Sequence, residues 1–286
     1  MRIRMAWVCC AALAAATAGA QTKVRFSDAE GAGDVGELRS SMAMTLQLKA
    51  SSKGQTVGTF PVNKGEEEAY TFKTAGVDAD GKPTNQTRTY SVARETELGP
   101  DGQAKKSAKA WQGRTITLKR TGAATTVTAV GAALPADARK ELADLFSKNG
   151  KEEKFFPRRE VAPGETWSFP SAELARAFGG EGTATVEGKF AEVVQFAGRR
   201  CARIEVTLTV KATPAGAPIA LSMALKGNVH YALDQNRTIS AVVSGPITAT
   251  GSQKEGDTSI DMDGSGTFSM KMTATYTAVG TRPAVR

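Results

Sequence analysis

The chain has 286 residues, with 37 Lys and Arg against 29 Asp and Glu, which gives a net charge of +8 at pH 7. It contains three cysteines and one histidine. These counts exclude a small disulfide-stapled fold and a zinc site built from His and Cys, and a Ser-His-Asp enzyme would have to use His230. Hydrophobic residues make up 41% of the chain and are regularly patterned, which excludes general disorder.

The first residues are typical of an export signal. A short basic start precedes the apolar run Ala6–Ala16, which is too short to span a bilayer, and Ala18-Gly19-Ala20 supplies the small residues that a signal peptidase needs. Cleavage is expected before Gln21. Neither Cys9 nor Cys10 follows a suitable lipobox, so we expect a periplasmic or extracellular protein without a lipid anchor and without a later transmembrane segment.

Alternation of apolar and polar residues dominates the rest of the chain. In Arg203–Lys211 the even positions are apolar and the odd ones are Arg, Glu, Thr or Lys. The same pattern occurs at Ser41–Lys49, Ile219–Leu233, Ile239–Ala249 and Phe268–Tyr276. It predicts an antiparallel sheet with one covered face. Turns are predicted between the runs at Asp80-Gly81, Asp101-Gly102, Gly198-Arg199, Gln235-Asn236 and Asp263-Gly264.

Two segments predict helices. Pro135–Asn149 has a proline at its start, the apolar stripe Leu142, Leu145 and Phe146, and an Asn-Gly stop. Ser171–Phe178 has a serine cap and is followed by glycine. Both predicted helices lie between the two β-rich parts of the chain, so they form a helical connector.

The pattern predicts one continuous β-rich domain, because no Pro/Gly/Ser-rich linker interrupts it. The predicted organisation is a signal peptide 1–20, a lead-in 21–38, a domain 39–279 with halves 39–130 and 183–278 around the connector 134–180, and a tail 280–286. The predicted fold class is mainly β (α+β). We expect a long curved antiparallel sheet, a half-barrel or open sandwich, with two short connector helices covering one face.

The connector contains a distinctive segment, Val161-Ala162-Pro163-Gly164-Glu165-Thr166-Trp167. It resembles the V-x-x-G-D/E-x-W segment of uncharacterised, β-rich exported bacterial proteins, in which such a segment precedes the C-terminal half of the sheet. In architecture alone, the chain is also similar to the half-barrel carriers of the LolA/LolB type. Read from the residues, Pro163-Gly164 makes a tight turn and Trp167 anchors a strand on the apolar face, while a binding role for Trp167 stays open.

Methionines are the most suggestive candidates for ligand binding. They share the parity of the apolar residues in their strands, and methionine adapts to varied apolar partners. The candidate ligand-binding residues are Met42, Met44, Met223, Leu225, Met270, Met272 and Trp167. An ordinary core that is low in aromatic residues explains the same methionines, so this alternative stays open.

No catalytic set emerges from the sequence. His230 has the parity of Lys226 and Asn228, which places it on the polar face and predicts a solvated histidine. Cys201 follows two arginines, so it is either an inert buried residue or a thiol with a lowered pKa. We therefore expect no catalytic residues and no cofactor.

Carboxylates give only weak metal candidates. Two stretches are similar to the oxygen-rich start of a calcium-binding loop: one holds Asp257, Asp261 and Asp263, and the other holds Asp78 and Asp80. Neither stretch has the glutamate that closes such a loop. Both match hairpin turns better. We expect no metal site.

The leading functional hypothesis is a non-enzymatic exported protein that binds an apolar or amphiphilic molecule between sheet and helices. The alternative is a structural or protein-interaction module of the envelope without a pocket, and an enzyme ranks last. The basic residues favour an anionic envelope surface as a partner. They exclude nucleic acid, because they are not interleaved with aromatic residues, which are 6% of the chain.

Overall fold

The computed structural model describes residues 23–27, 29–98, 102–148, 156–157, 159–171, 180–214, 216, 218–255 and 258–281. Within this part of the chain, twelve strands form one open antiparallel sheet and one helix packs on it. The predicted mainly β fold with long antiparallel strands is confirmed. The described helix is not long and apolar enough to cross a membrane. The predicted signal peptide lies outside the described residues.

The strands follow in chain order and pair mostly with their sequence neighbours. They are β1 (Val35–Ser52), β2 (Gln55–Val77), β3 (Pro83–Leu98), β4 (Ala104–Ala108), β5 (Thr115–Thr121), β6 (Ala124–Ala129), β7 (Thr166–Pro170), β8 (Gly180–Phe196), β9 (Arg199–Pro214), β10 (Ile219–Ala232), β11 (Arg237–Glu255) and β12 (Thr258–Ala278). The helix α1 (Ala136–Lys148) lies between β6 and β7. The spatial order is β6-β5-β3-β2-β1-β12-β11-β10-β9-β8-β7, and β4 adds to β3.

The two halves of the chain meet at the pairing of β1 with β12. Val35 lies opposite Ala278, and the register continues to Ser52 opposite Ile260. This seam joins residues more than two hundred positions apart at the centre of the sheet. The strands at the two ends of the order, β6 and β7, are short, as edge strands in soluble proteins tend to be.

The turns predicted at Asp80-Gly81 and Gln235-Asn236 are confirmed, the turn predicted at Gly198-Arg199 lies one residue earlier, and Asp101 of the Asp101-Gly102 turn lies outside the described residues. The β8–β9 hairpin turns at Ala197-Gly198, where both residues have positive φ, and Gly81 and Asn236 have positive φ between their strands. The turn predicted at Asp263-Gly264 is wrong, because both residues lie inside β12. A Cβ on Gly264 would stand 2.6 Å from the carbonyl oxygen of Gln47, so this glycine allows a close approach of two strands.

Helix α1 covers one end of the sheet. Pro135 lies just before the helix, and its carbonyl accepts a hydrogen bond from the Arg139 N–H at 3.1 Å. Leu142 and Phe146 are buried, whereas Leu145 remains 38% exposed. The strands nearest to α1 are β5 and β6, and its buried side chains share a cluster with Tyr70 of β2 and Tyr90 of β3, so this helix covers the first half of the sheet and not its centre. The second predicted helix lies almost wholly outside the described residues.

The face of the sheet that carries Leu46 and Leu225, called here the apolar face, holds the core. Its central part is one cluster contributed by eight strands, β1, β2 and β7 to β12. The lead-in also belongs to the core, because Phe26 is buried against Phe190 and Tyr231. The ordered sheet therefore begins four residues before the predicted domain boundary, and the segment ahead of it packs beneath the second half.

Candidate functional site

Four methionines form a continuous row on the apolar face, called here the methionine ridge: Met42, Met44, Met270 and Met272. Met42 lies directly opposite Met270 in the β1–β12 pair, Met44 lies opposite Phe268, and Ser40 lies opposite Met272. Directly opposed residues point to the same side of a sheet. The structure thus brings together four of the predicted candidates at the seam between the two halves.

The ridge is more open than the centre of the apolar face. Met270 is 39% exposed, and the other three ridge methionines are half-buried. By contrast Met223 is 2% exposed and Leu225 is fully buried, and both belong to the central cluster. Two predicted ligand-binding residues therefore fill the core, and the accessible candidate surface is confined to β1 and β12.

A polar border runs along the ridge on strand β2. Lys64 lies opposite Met44 and Glu66 lies opposite Met42, so charged groups continue the methionine rows across the sheet. The buried Lys109 amine lies 3.5 Å from Glu66 Oε1 and donates to Glu141 Oε1 of α1 at 2.6 Å. Burial lowers the Lys109 pKa, but the Glu141 hydrogen bond and the carboxylates outweigh it and raise the pKa. The sequence analysis missed this border, although its parity was readable.

Trp167 is a structural anchor at the edge of the sheet. It lies opposite Gly188, and a Cβ on Gly188 would stand 2.3 Å from the indole ring, so the ring lies across the glycine. The turn before it is the predicted one: Gly164 has a φ of 91°, and the Glu165 N–H donates to the Ala162 carbonyl at 3.1 Å. Trp167 also lies 6.0 Å from Phe26 between ring centroids, so it stands apart from the methionine ridge.

A buried polar chain lies beneath helix α1. The Glu30 carboxylate accepts hydrogen bonds from Thr74 at 2.9 Å and from Gln86 at 3.0 Å, and Gln86 in turn accepts from Arg88. The Arg88 guanidinium lies 4.7 Å from the centre of the Tyr70 ring. Burial of the carboxylate raises the pKa of Glu30. No sequence motif predicts this chain, because its members come from three separate segments: the lead-in, β2 and β3.

His230 lies on the polar face, as its parity predicts. Its cross-strand neighbours are Arg203 and Ser240, and its ring stacks on Phe196 with centroids 3.8 Å apart. Burial, followed by the charge of Arg203, lowers the His230 pKa. Within the described residues its Nδ1 has no hydrogen-bond partner, so the histidine is packed rather than freely solvated. Asp234, a potential orienting acid, is paired with Arg199 at 2.5 Å.

The remaining sequence candidates do not assemble into a site. Asp261 and Asp263 are exposed on the polar face of β12, and Asp257 lies outside the described residues. In the described part of the chain, no three His, Cys, Asp or Glu residues lie close enough to hold a metal ion. Cys201 is fully buried, and burial followed by the Asp234 carboxylate raises its pKa despite Arg199, so the alternative of a lowered thiol pKa is wrong.

Comparison with known proteins adds no assignment. No protein-family model matches the chain, and no curated protein matches it either. The resemblance of the V-x-x-G-E-x-W segment to exported proteins stays a prediction.

Proposed function

We propose that this protein is a non-enzymatic exported protein that binds the apolar part of an amphiphilic molecule on the methionine ridge. The observation that carries the proposal is the exposure of Met270 at 39%, directly opposite the half-buried Met42, although Leu46 and Phe268 on the same two strands and the same face are buried. Val243, the next residue in that row, is only 3% exposed. The ridge is thus an opening in a packed surface.

Methionine side chains suit such an opening. They are unbranched and polarisable, so they adapt to apolar partners of varied shape without a preformed cavity. The lysine and the glutamates of β2 border the ridge and would lie beside the polar part of an amphiphile. An acyl chain that lies across the ridge with its head group toward β2 would contact the methionines with its apolar part and the charged residues of β2 with its polar part.

A second candidate function is a structural or interaction module of the envelope. It is favoured by the full burial of Leu225 and the near-complete burial of Met223, which fill the middle of the apolar face. The two proposals differ in one respect: the carrier needs the ridge to take up an apolar molecule, whereas the module does not.

The proposal is tested by uptake of apolar molecules. Native mass spectrometry with lipid extraction, on protein purified from its own host's envelope, should find an amphiphile near unit stoichiometry. A pyrene-labelled fatty acid added to delipidated protein should bind with saturation. The double variant Met42→Gln, Met270→Gln should weaken this binding about tenfold, because two partly exposed apolar contacts are replaced by amides.

A matched control separates binding at the ridge from non-specific binding of the fatty acid to exposed apolar side chains. Val242→Gln changes an equally exposed apolar residue, 43% accessible, on the opposite face of the neighbouring strand β11. It should leave the affinity for the fatty acid unchanged. A bare mass together with absence of probe uptake would reject the carrier and leave the structural module.

A further inference from the structure

Two of the three most exposed large apolar side chains in the described part of the chain lie at one end of the sheet, away from the ridge. Val57 is 61% exposed and Phe60 is 56% exposed, three residues apart on β2 near the β1–β2 turn. The other exposed large apolar residues of the described chain are dispersed: Val130, Leu145, Val242, Met270 and Val279. The segment Ser52–Phe60 is called here the hairpin tip.

The tip is built to hold Phe60 outward. Lys53 and Gly54 both have positive φ and make a tight two-residue turn. A Cβ on Gly58 would stand 2.8 Å from the Phe60 ring, so the ring rests on the glycine and points along the strand toward the turn. Phe60 lies opposite Leu48, so the apolar face continues to the very end of the hairpin.

Within the hairpin itself the charge has one sign, whereas the neighbouring strands carry carboxylates, among them Glu97 of β3 opposite Lys64. Between Ser40 and Gly65 the chain carries three lysines, Lys49, Lys53 and Lys64, and no Asp or Glu. The nearest carboxylates on the adjoining strand, Asp261 and Asp263, lie opposite Ser51 and Lys49 on the polar face, away from Phe60.

We propose that the hairpin tip docks on an anionic lipid bilayer, with Phe60 and Val57 at the level of the head groups. An aromatic and an aliphatic side chain flanked by lysines match an interface that is apolar below and negatively charged above. A protein partner would more often offer a complementary concave pocket, and nothing in the charge of the tip selects one. The docking does not depend on the methionine ridge, and it turns the open end of the apolar face toward the bilayer.

Vesicle co-sedimentation tests the proposal with the whole chain. The protein should bind vesicles of phosphatidylglycerol and phosphatidylcholine more tightly than vesicles of phosphatidylcholine alone, and added salt should reduce the difference. The double variant Val57→Ser, Phe60→Ser should bind the anionic vesicles about tenfold more weakly. Lys53→Gln should weaken binding severalfold on anionic vesicles only.

Two controls keep the result interpretable. Val130→Ser replaces an apolar residue that is 69% exposed outside the tip and should bind as the wild type does. The Met42→Gln, Met270→Gln variant should also keep vesicle binding, which separates failure of this proposal from failure of the carrier proposal. Equal binding of the tip variant and the wild type, with matching thermal melts, would overturn the assignment, and so would absence of wild-type binding to anionic vesicles.

Discussion

The carboxylate of Asp34 ties the two ends of the described chain together. It is fully buried, and it accepts hydrogen bonds from the N–H groups of Gly31 at 2.9 Å and Gly280 at 2.7 Å. The Arg237 guanidinium, which is 3% exposed, donates to both carboxylate oxygens, with 2.8 Å between Nη2 and each of them. A buried charge pair of this kind favours the fold only as a complete set, because either partner alone is left unpaired in the interior.

Asp34→Ala should therefore lower the free energy of unfolding by about 3–5 kcal/mol, since it leaves the buried Arg237 without its counter-charge. Urea unfolding followed by circular dichroism measures the change. Asp263→Ala, which removes an exposed carboxylate from the polar face, should stay within about 0.5 kcal/mol of the wild type. A loss below about 1 kcal/mol for Asp34→Ala would contradict the stabilising role of the buried Asp34–Arg237 pair, called here the clamp.

Glu30 contributes a dependence of stability on pH. Its residue is partly exposed, but the carboxylate faces the buried Thr74 and Gln86, and burial raises its pKa above the ordinary 4.5. The folded state then holds the Glu30 proton more tightly than the unfolded state does. The contribution of this group to stability is full below the unfolded pKa and is lost as pH rises through the folded pKa.

Glu30→Gln should accordingly flatten the pH profile of stability, because the amide keeps an oxygen for Thr74 and Gln86 without titrating. Relative to the variant, the wild type should lose stability as pH rises above the ordinary glutamate pKa. Urea midpoints at several pH values measure the difference. Glu67→Gln, at an exposed position of β2, is the control and should follow the wild-type curve. Parallel curves for wild type and Glu30→Gln would contradict the prediction.

At the scale of elements, the packing of the edge strand β7 depends on one residue pair with β8, Trp167 opposite Gly188. The Trp167 ring lies over Gly188, where any side chain would occupy the place of the ring. The tight turn before the strand fixes its register, because the Gly164 N–H donates to the Phe190 carbonyl at 2.6 Å. A glycine facing an aromatic ring across strands is a recurrent way of protecting a sheet edge.

Gly188→Ala should destabilise the protein by about 2 kcal/mol, because the added methyl group displaces the indole ring. The same change in a Trp167→Ala background should cost close to nothing, which gives a coupling energy of about 1–2 kcal/mol in the double-mutant cycle. Chemical unfolding of the four proteins measures it. Additive losses would show that the ring and the glycine act independently.

The sequence predicts the regular elements well and the irregular ones poorly. Helix α1 begins one residue after the predicted start, because an amphipathic stripe and a proline before the first turn are local signals. The Asp263-Gly264 turn was predicted from equally local signals and is wrong, because a glycine inside a strand serves a neighbouring backbone that local sequence does not contain. The Asp34–Arg237 clamp was missed for the same reason, since its partners are far apart in the chain.

For the candidate site, the alternation of residues along each strand predicts which methionines lie on the apolar face. The packing of the assembled sheet decides which of those methionines are exposed to solvent. Met223 and Met270 have the same parity signal, yet one is 2% exposed and the other 39% exposed. The difference depends on position along the seam as well as on the strand, because Phe268, on the same strand and face as Met270, is only 4% exposed. The register across that seam is a property of the whole molecule and cannot be read from either strand alone.

The same seam governs how the whole molecule folds. The central pair β1–β12 forms only after residues more than two hundred positions apart have met, and such long-range pairing slows folding. The two ends of the described part of the chain lie near the seam, since Ala32 forms a bridge with Thr281. Linking the ends would turn the slowest contact into a local one.

A circular permutant tests this point. A flexible Gly/Ser linker from Arg286 to Lys23, with new ends opened in the β5–β6 turn at Gly122, should refold faster than the wild type by a factor on the order of ten, because β1 and β12 become sequence neighbours. Stopped-flow fluorescence of the two buried or half-buried tryptophans, Trp111 and Trp167, measures the rates. The wild-type chain without residues 1–22 is the control for loss of the N-terminal segment. Equal refolding rates at equal stability would place the rate-limiting pairing within one half of the sheet instead of at the seam.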